Sequence, residues 1–544
     1  MACSKLFSGD LPELINEIIQ YFHYDYKTLH SCIFVNRLWC RLAIPLLWED
    51  PFSIKFPKNY YFIEIYLNNL NDDDKVKLNE YIIHNELFPL NTLFNYPRFI
   101  KHLDAYKVSN SIEKWVKTIM NSTIKEQHSN YSITNANLSL SQIIKLIFWS
   151  LILLFIKNEA NLHSFKVTTC IGYSNEIIEL ILQNRNFIYN IKNLALKLDK
   201  ANDNIIKFLE FLCSNCNSIS SLYFPLPSYN NYPIIEKYLS QIIKSQENLK
   251  KISFGYGYGC SLYHPLLSLN NLNCSNTLNT IIFYYINFKN INVLSEVFNQ
   301  LNVLESIHIV YCYHLDSKFI QQINNIIKPF KLKSLFLDGV NYELLEPLMQ
   351  KSGNYLESFG FYHDGSQKLL QLIIKYCNKI KFLFPIWTNN QFIYLLFNII
   401  ENIKQNLNYL SIDHRGHNTS STILQNLGQI LPFKLEYLNL CLNLINTNDL
   451  RFFLKNSQNI FIKKLLIKNT MNENCQNNIF PYIKEYIMKK KRIKYLAIRE
   501  ILCSKSEDLF FSKDKVKEFE LYGIQVLNYD DFVIDIYSFI IETY

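Results

Sequence analysis

Four short stretches carry residues whose types and spacing could do chemistry. "FGYGYG" (Phe254–Gly259) is glycine-rich and follows a predicted strand. A phosphate cradle needs a longer glycine spacing and a helix starting directly after it. The next residues are "CSLYHP", which is no helix start, so the stretch reads as a flexible loop. "CSNC" (Cys213–Cys216) has the spacing of a redox or zinc pair. It has no second pair at zinc-ribbon distance and sits at the end of a predicted helix. His308, Cys312 and His314 are close in sequence. His308 falls on a strand and Cys312 in the loop after it, so the three do not converge easily on one metal. "DHRGH" (Asp413–His417) holds acid–base residue types, but no nucleophile with a local signature accompanies it. No catalytic residue, metal ligand or cofactor is therefore assigned, and the chain is not expected to be an enzyme.

The elements that carry these residues belong to a long chain. Its 544 residues exceed a typical domain of roughly 100–200, which calls for several domains or a repeat array. Apolar residues make up 49% and charged residues 19%, enough for a large core and against long disorder. The net charge of +8 is mild for this size, and there is no arginine-rich arm, so nucleic acid is not an expected partner. The basic run "KKKRIK" (Lys489–Lys494) could be a nuclear import signal, but it reads as a solvated turn before a strand. There are 13 cysteines without framework spacing, and the opening "MACSKLFSGD" has no apolar stretch of a secretory signal. Both point to a reducing compartment, cytoplasmic and/or nuclear. The most apolar run, "IIKLIFWSLILLFI" (Ile143–Ile156), contains Lys145 and is shorter than the ~20 residues of a membrane span. It is expected to be a buried helix, with no membrane partner.

The N-terminal residues 1–50 form a patch unlike the rest. Asp10 and Glu13 have capping-box spacing, with Pro12 in the first turn. Leu11, Leu14, Ile15, Ile18, Ile19 and Phe22 then mark one face of a helix. Two further helical segments come next, carrying Leu29, Cys32, Ile33 and Val35, then Leu38, Trp39, Leu42 and Leu46. About forty residues are too few to bury a core comfortably, so a partner is expected. The composite "LPELINEII…F" followed by "VNRLWCRLAIPLLW" resembles an F-box over Leu11–Trp48. The resemblance implies docking on the Skp adaptor of a cullin–RING (SCF-type) ubiquitin ligase. By matching position it places Leu11, Pro12, Ile15 and Ile18 against the adaptor, with Val35 and Trp39 in the same helical unit. Asn36 departs from the family's usual cysteine.

Residues 51–156 show no clean repeat, carry the acidic run "NDDDK" (Asn71–Lys75), and read as a helical spacer with room for degenerate first repeats. From about residue 157 to 544 a pattern recurs: apolar, two of any type, apolar, one of any type, apolar. Its instances include "LHSFKV" (Leu162), "LESIHI" (Leu304), "LEYLNL" (Leu435), "IKYLAI" (Ile493) and "VKEFEL" (Val516). The period is about 27 residues, with stretches of helical spacing between. This predicts an α/β solenoid of about 14 strand–helix repeats, because one such unit cannot bury its own face. This half resembles the leucine-rich-repeat family of F-box proteins. The Asn or Cys that normally seals the loop after the strand occurs at Cys170, Cys312 and Asn443 only.

Strand side chains alternate, so the residues between the apolar triplet point out of the core onto the concave face. The middle of that strip is aromatic: Tyr284, His308, Phe336, Tyr362, Phe384, Tyr409 and Tyr437. Its end is basic: Lys464, Lys468, Tyr495 and Arg499. These residues are the candidate binding surface for a target protein, although a chain with 15% aromatic residues would also place rings there by composition. The resemblance thus implies a substrate-recognition adaptor for ubiquitin-dependent degradation. A repeat scaffold working without a ligase is the alternative from another class, and a nucleic-acid-binding repeat using the basic end is a third.

Overall fold

The computed structural model describes residues 12–544 except 24, 55–56, 58, 72–74, 76–81, 85–91, 123–130, 134–138, 169–173, 199–201, 226–231, 257–261, 340–341, 363–366, 388–389, 415, 417–418, 472–478, 491–492 and 503–504. Asp10, Leu11, Asp72–Asp74, Cys170, Gly257, Tyr258, Gly259, Arg415, His417, Lys491 and Arg492, each part of a motif named above, lie outside the described residues. The chain forms two compact units, Met1–Leu249 and Lys250–Tyr544.

The first unit begins with helices α1 (Pro12–Tyr21), α2 (Tyr26–Cys32) and α3 (Arg37–Leu47). Strand β1 (Ile82–His84) pairs antiparallel with β3 (Tyr131–Ile133). Strand β2 (His102–Asp104) lies parallel to β4 (Ser164–Thr168), which carries the array into the region read as spacer. Strands β5 (Asn193–Lys197) and β6 (Ser221–Pro225) extend it in the same direction. The apolar run near residue 150 is one helix, α4 (Leu140–Lys157), opened by a Ser139–Gln142 capping box. It is long and apolar enough to cross a membrane. Ile147, Phe148, Leu151 and Phe155 are nonetheless buried within the unit, with Phe155 packed edge-on to Tyr66 at 5.1 Å.

The second unit is a run of parallel strands taken in chain order: β7 (Lys251–Gly255), β8 (Thr280–Tyr284), β9 (Ser306–Val310), β10 (Leu332–Asp338) and β11 (Ser358–Tyr362). Then come β12 (Phe382–Trp387), β13 (Tyr409–His414), β14 (Lys434–Asn443), β15 (Phe461–Met471) and β16 (Tyr495–Leu502). Most strands are joined by helices, as at Gln367–Tyr376, whose Leu369, Leu370, Leu372 and Ile373 are buried. Parallel neighbours need such a crossover. The fold is therefore α/β with parallel strand–helix repeats, and in each instance from Leu162 to Ile493 the last two positions of the triplet fall on a strand. In three successive repeats the residue after the strand is a tyrosine with left-handed backbone: Tyr256, Tyr285 and Tyr311, at φ 58°, 52° and 51°. Their rings pack on one another, stacked at 5.7 Å for Tyr256–Tyr285 and tilted at 5.4 Å for Tyr285–Tyr311, which offsets the strain of a bulky residue there.

The array ends sooner than the pattern implies. "VKEFEL" is not a strand but part of helix α5 (Lys513–Glu520). Its Lys/Glu-rich sequence favours a helix, and Phe519 is its one buried residue. Past β16 the edge is closed by β17 (Lys505–Asp508), antiparallel, and by β18 (Gln525–Val526), parallel to the start of β16. The chain then forms α6 (Tyr529–Phe532) and α7 (Ile536–Thr543).

Candidate functional site

The N-terminal helices pack around a core of their own. Ile15, Ile19, Leu29, Cys32, Trp39, Ala43 and Leu46 form one buried cluster, with Phe22, Leu38 and Leu42 packed against it. Local chemistry sets the helix starts. Asp25 caps α2, accepting from the Thr28 N–H at 3.1 Å, and Asn36 caps α3, accepting from the Trp39 N–H at 2.9 Å. Asn36 thus has a structural task that a cysteine would not perform as well. The expectation that Ile15 faces a partner is corrected: it is fully buried in the module, as is most of Trp39. Helical geometry explains this, because Ile15 and Ile19 share the inner face while Leu14, Ile18 and Tyr21 lie on another. Pro12 is exposed and Ile18 half-buried. Among the described residues of the module, the large apolar ones left open are Leu14 (44% exposed), Tyr21 (87%), Phe34 (76%) and Val35 (47%). Leu14, Tyr21 and Phe34 are not among the expected contacts, though the i, i+4, i+7 step of 14, 18 and 21 marks the face. The module is tied to the rest of its unit by buried Glu49, which pairs with His23 at 2.5 Å and with Lys101.

The expected binding strip does lie on one face of the second unit's sheet. Register pairs place Ser253, Ile282, His308, Ser334, Ser358, Phe382, Tyr409, Tyr437, Lys464 and Tyr495 in one column across the strands. Tyr284 and Phe336 lie in the next column, two residues along. What differs is access. Tyr284, His308, Phe336 and Tyr437 are buried, and Phe384 and Tyr409 half-buried, because the chain's own segment Tyr529–Tyr544 lies on them.

Ile536 and Ile540, one turn apart on α7, are buried against Tyr284, Val310, Phe336 and Phe382. Phe539 meets the Phe382 ring at 4.7 Å and Tyr409 at 5.3 Å. Tyr537 meets Tyr284 at 4.5 Å, and its hydroxyl is 2.9 Å from Ser253 Oγ. The Tyr529 hydroxyl donates to Asn439 Oδ1 at 2.8 Å. The basic end is taken as well: Lys464 lies over the Phe532 ring at 5.7 Å, Tyr495 packs on Phe532 at 5.9 Å, and Arg499 pairs with Asp530. Tyr362 and Lys468 remain half-exposed on this face.

Beneath the end of α7 is a polar niche. His308 is fully buried, its Nδ1 is 2.8 Å from Ser334 Oγ, and its Nε2 has no hydrogen-bond partner. The Tyr544 ring lies 4.5 Å from the imidazole, and its hydroxyl donates to Glu357 at 3.3 Å. Ser334 and Ser358 lie beside that phenol. Burial works against the charge of Glu357, but hydrogen bonds from Lys333 and from Lys381 (2.7 Å) leave its carboxyl below the usual range. Burial, with Lys251 and Lys333 nearby, pushes His308 down to about 3, so the ring is neutral. Lys251 Nζ donates to the Ile541 carbonyl at 2.9 Å.

The other candidates do not assemble. Cys213 and Cys216 point to different carbonyls, of Tyr238 and Ile188, and burial pushes their thiols up to about 11 and about 12. Cys312 is buried with its thiol against the Phe283 carbonyl, His308 lies under the tail, and His314 is exposed. Asp413 and His414 lie on β13, with buried His414 held between the Trp387 carbonyl and Thr419. Among the described residues no three His, Cys, Asp or Glu side chains gather as metal ligands. Of the expected loop-sealing positions Cys312 is buried, and buried Asn469, not among them, accepts from the Ile445 N–H at 3.0 Å.

Fold and site together define an α/β protein of parallel strand–helix repeats whose sheet face holds a helical segment. No protein-family model matches the chain, and no curated protein matches it.

Proposed function

We propose that this chain is a substrate-recognition subunit of an SCF-type ubiquitin ligase, with an F-box-like N-terminal module and leucine-rich-type repeats. The supporting observation is a three-helix module that closes its own core yet leaves Leu14, Tyr21, Phe34 and Val35 open. Such a patch on a small helical module fits a partner surface better than solvent. The module docks on a Skp-type adaptor and through it on the cullin–RING core. The repeats hold a target protein. The chain itself makes and breaks no bond: tethering raises the effective concentration of target lysines near the ubiquitin-charged enzyme.

Co-purification of the full chain with a Skp-type adaptor tests this, beside a Leu14→Asp/Ile18→Asp variant. Both positions are off the module's core, so the variant keeps its helical signal. Stoichiometric capture that falls at least about tenfold in the variant is the expected result. No capture by either form leaves a repeat scaffold without a ligase.

A further inference from the structure

The tail Tyr529–Tyr544 occupies the face on which a repeat protein of this kind would be expected to take a ligand, and it does so in a ligand's manner. Its own helical hydrogen bonds run within the tail, as from Val533 to Tyr529, Phe539 to Asp535 and Tyr544 to Ile540. Its bonds to the sheet residues use side chains: Tyr537 to Ser253, Tyr529 to Asn439, Lys251 to the Ile541 carbonyl, and the Ile534 N–H to the Tyr437 hydroxyl. α7 is an eight-residue helix that presents Ile536 and Ile540 at i and i+4 to an aromatic surface. That is the geometry of an amphipathic helix in a groove.

The surface beneath is apolar at Ile282, Val310 and Phe382 but mixes buried polar groups among them. A permanent core is filled with apolar groups, because each buried polar group needs a partner. This face carries Ser253, His308, Ser334, Ser411 and Asn439. His308 is fully buried under Tyr544, and its Nε2 is left without a partner. A buried ring nitrogen in that state marks a polar position that the tail fills incompletely. Beside it, Glu357 accepts from the phenol of Tyr544, with Ser334 and Ser358 next to that phenol.

We propose that this face is a binding site for an amphipathic helix of a partner protein that carries a tyrosine four residues after its second aliphatic anchor, and that Tyr529–Tyr544 is its built-in competitor. The tail supplies the template: two aliphatic residues one turn apart, an aromatic residue beside them, and a phenol entering the niche of His308, Ser334, Ser358 and Glu357. A partner gains the face only by displacing the tail, so its apparent affinity is reduced by the fraction of time the tail is docked. The site is independent of the adaptor; only the statement that its occupant is a ligase target rests on the function proposed above.

The full-length chain is the material for the test. Hydrogen exchange compares the amides of α7 with those of β9–β11, and a fluorescein-labelled peptide of residues 528–544 is titrated into the chain. α7 is expected to exchange by its own opening, at least about a hundredfold faster than the strands. Tyr544→Phe in the chain should speed α7 about tenfold further, leave the strands unchanged, and tighten binding of the peptide about tenfold, because its own competitor is weaker. The same substitution in the peptide should weaken binding about tenfold. If the variant chain loses strand protection, the wild-type chain with the two peptides decides. Exchange of α7 together with β9–β11, no binding of either peptide, or equal binding of both overturns the proposal. None of these readouts involves the adaptor, so failed adaptor capture and a failed peptide site are told apart.

Discussion

At the scale of single residues, His308 sets a measurable acid sensitivity. Its imidazole is held down to about 3, first by burial, then by Lys251 and Lys333, with Glu357 acting the other way. An unfolded histidine takes a proton near pH 6.5. Between those values the unfolded chain binds the proton and the folded one does not, so stability is lost as pH falls from about 6.5 toward 3. The loss at pH 5 is about 2 kcal/mol. Urea midpoints of the full chain at pH 7 and pH 5 should show it, and His308→Gln should remove that share of the pH slope. Gly360 makes a second residue-scale case. A Cβ there would lie 2.6 Å from the Phe336 ring and 2.6 Å from the Phe384 carbonyl. The backbone carbonyl cannot step aside, so Gly360→Ala should cost about 1–3 kcal/mol, read as a lowered thermal midpoint.

At the scale of elements, caps and periodicity explain what could be read in advance. The apolar triplets locate β4 to β16, because a buried strand must repeat its inward residues wherever a neighbour stacks on it. The helical steps locate α1 to α3, and Asn36 is where one of them starts. Asn36→Ala removes that cap and should cost about 1 kcal/mol in a thermal melt. Other features are hidden for physical reasons. Ile15 looks like a partner contact only if a forty-residue module has no interior, and this one has. "VKEFEL" carries the strand pattern, but its three charges, Lys517, Glu518 and Glu520, suit an exposed helix equally well. The tail is the largest departure from expectation, although a signal is present. Ile282, Val310, Phe382, Leu466 and Ala497 point to the side expected to be open, and an open face would carry polar groups there. Apolar outward columns over several strands mean that something covers them.

At the scale of the whole molecule, each compact unit keeps a different kind of apolar surface. The first leaves Leu14, Tyr21 and Phe34 open on its leading module, and the second hides Tyr284, Phe336, Phe382 and Tyr437 under a strap. Removing the strap by ending the chain after Leu527 should keep the far-ultraviolet signal of the repeats. Binding of the dye ANS should rise several-fold, and the shortened chain should self-associate on a sizing column. An unchanged dye signal would mean that the strands close over the face by themselves.

The strap also ties two distant stretches of the gene into one unit of inheritance. Ser253 and Tyr537, Asn439 and Tyr529, Lys464 and Phe532, and Arg499 and Asp530 are matched pairs, with one member on the sheet and the other in the last sixteen residues. A change on the sheet that suited a new partner would loosen the strap unless its mate changed too. Descendants of this sequence should therefore drift in couples at these positions, and a couple broken on one side would be the mark of a face that has found another occupant.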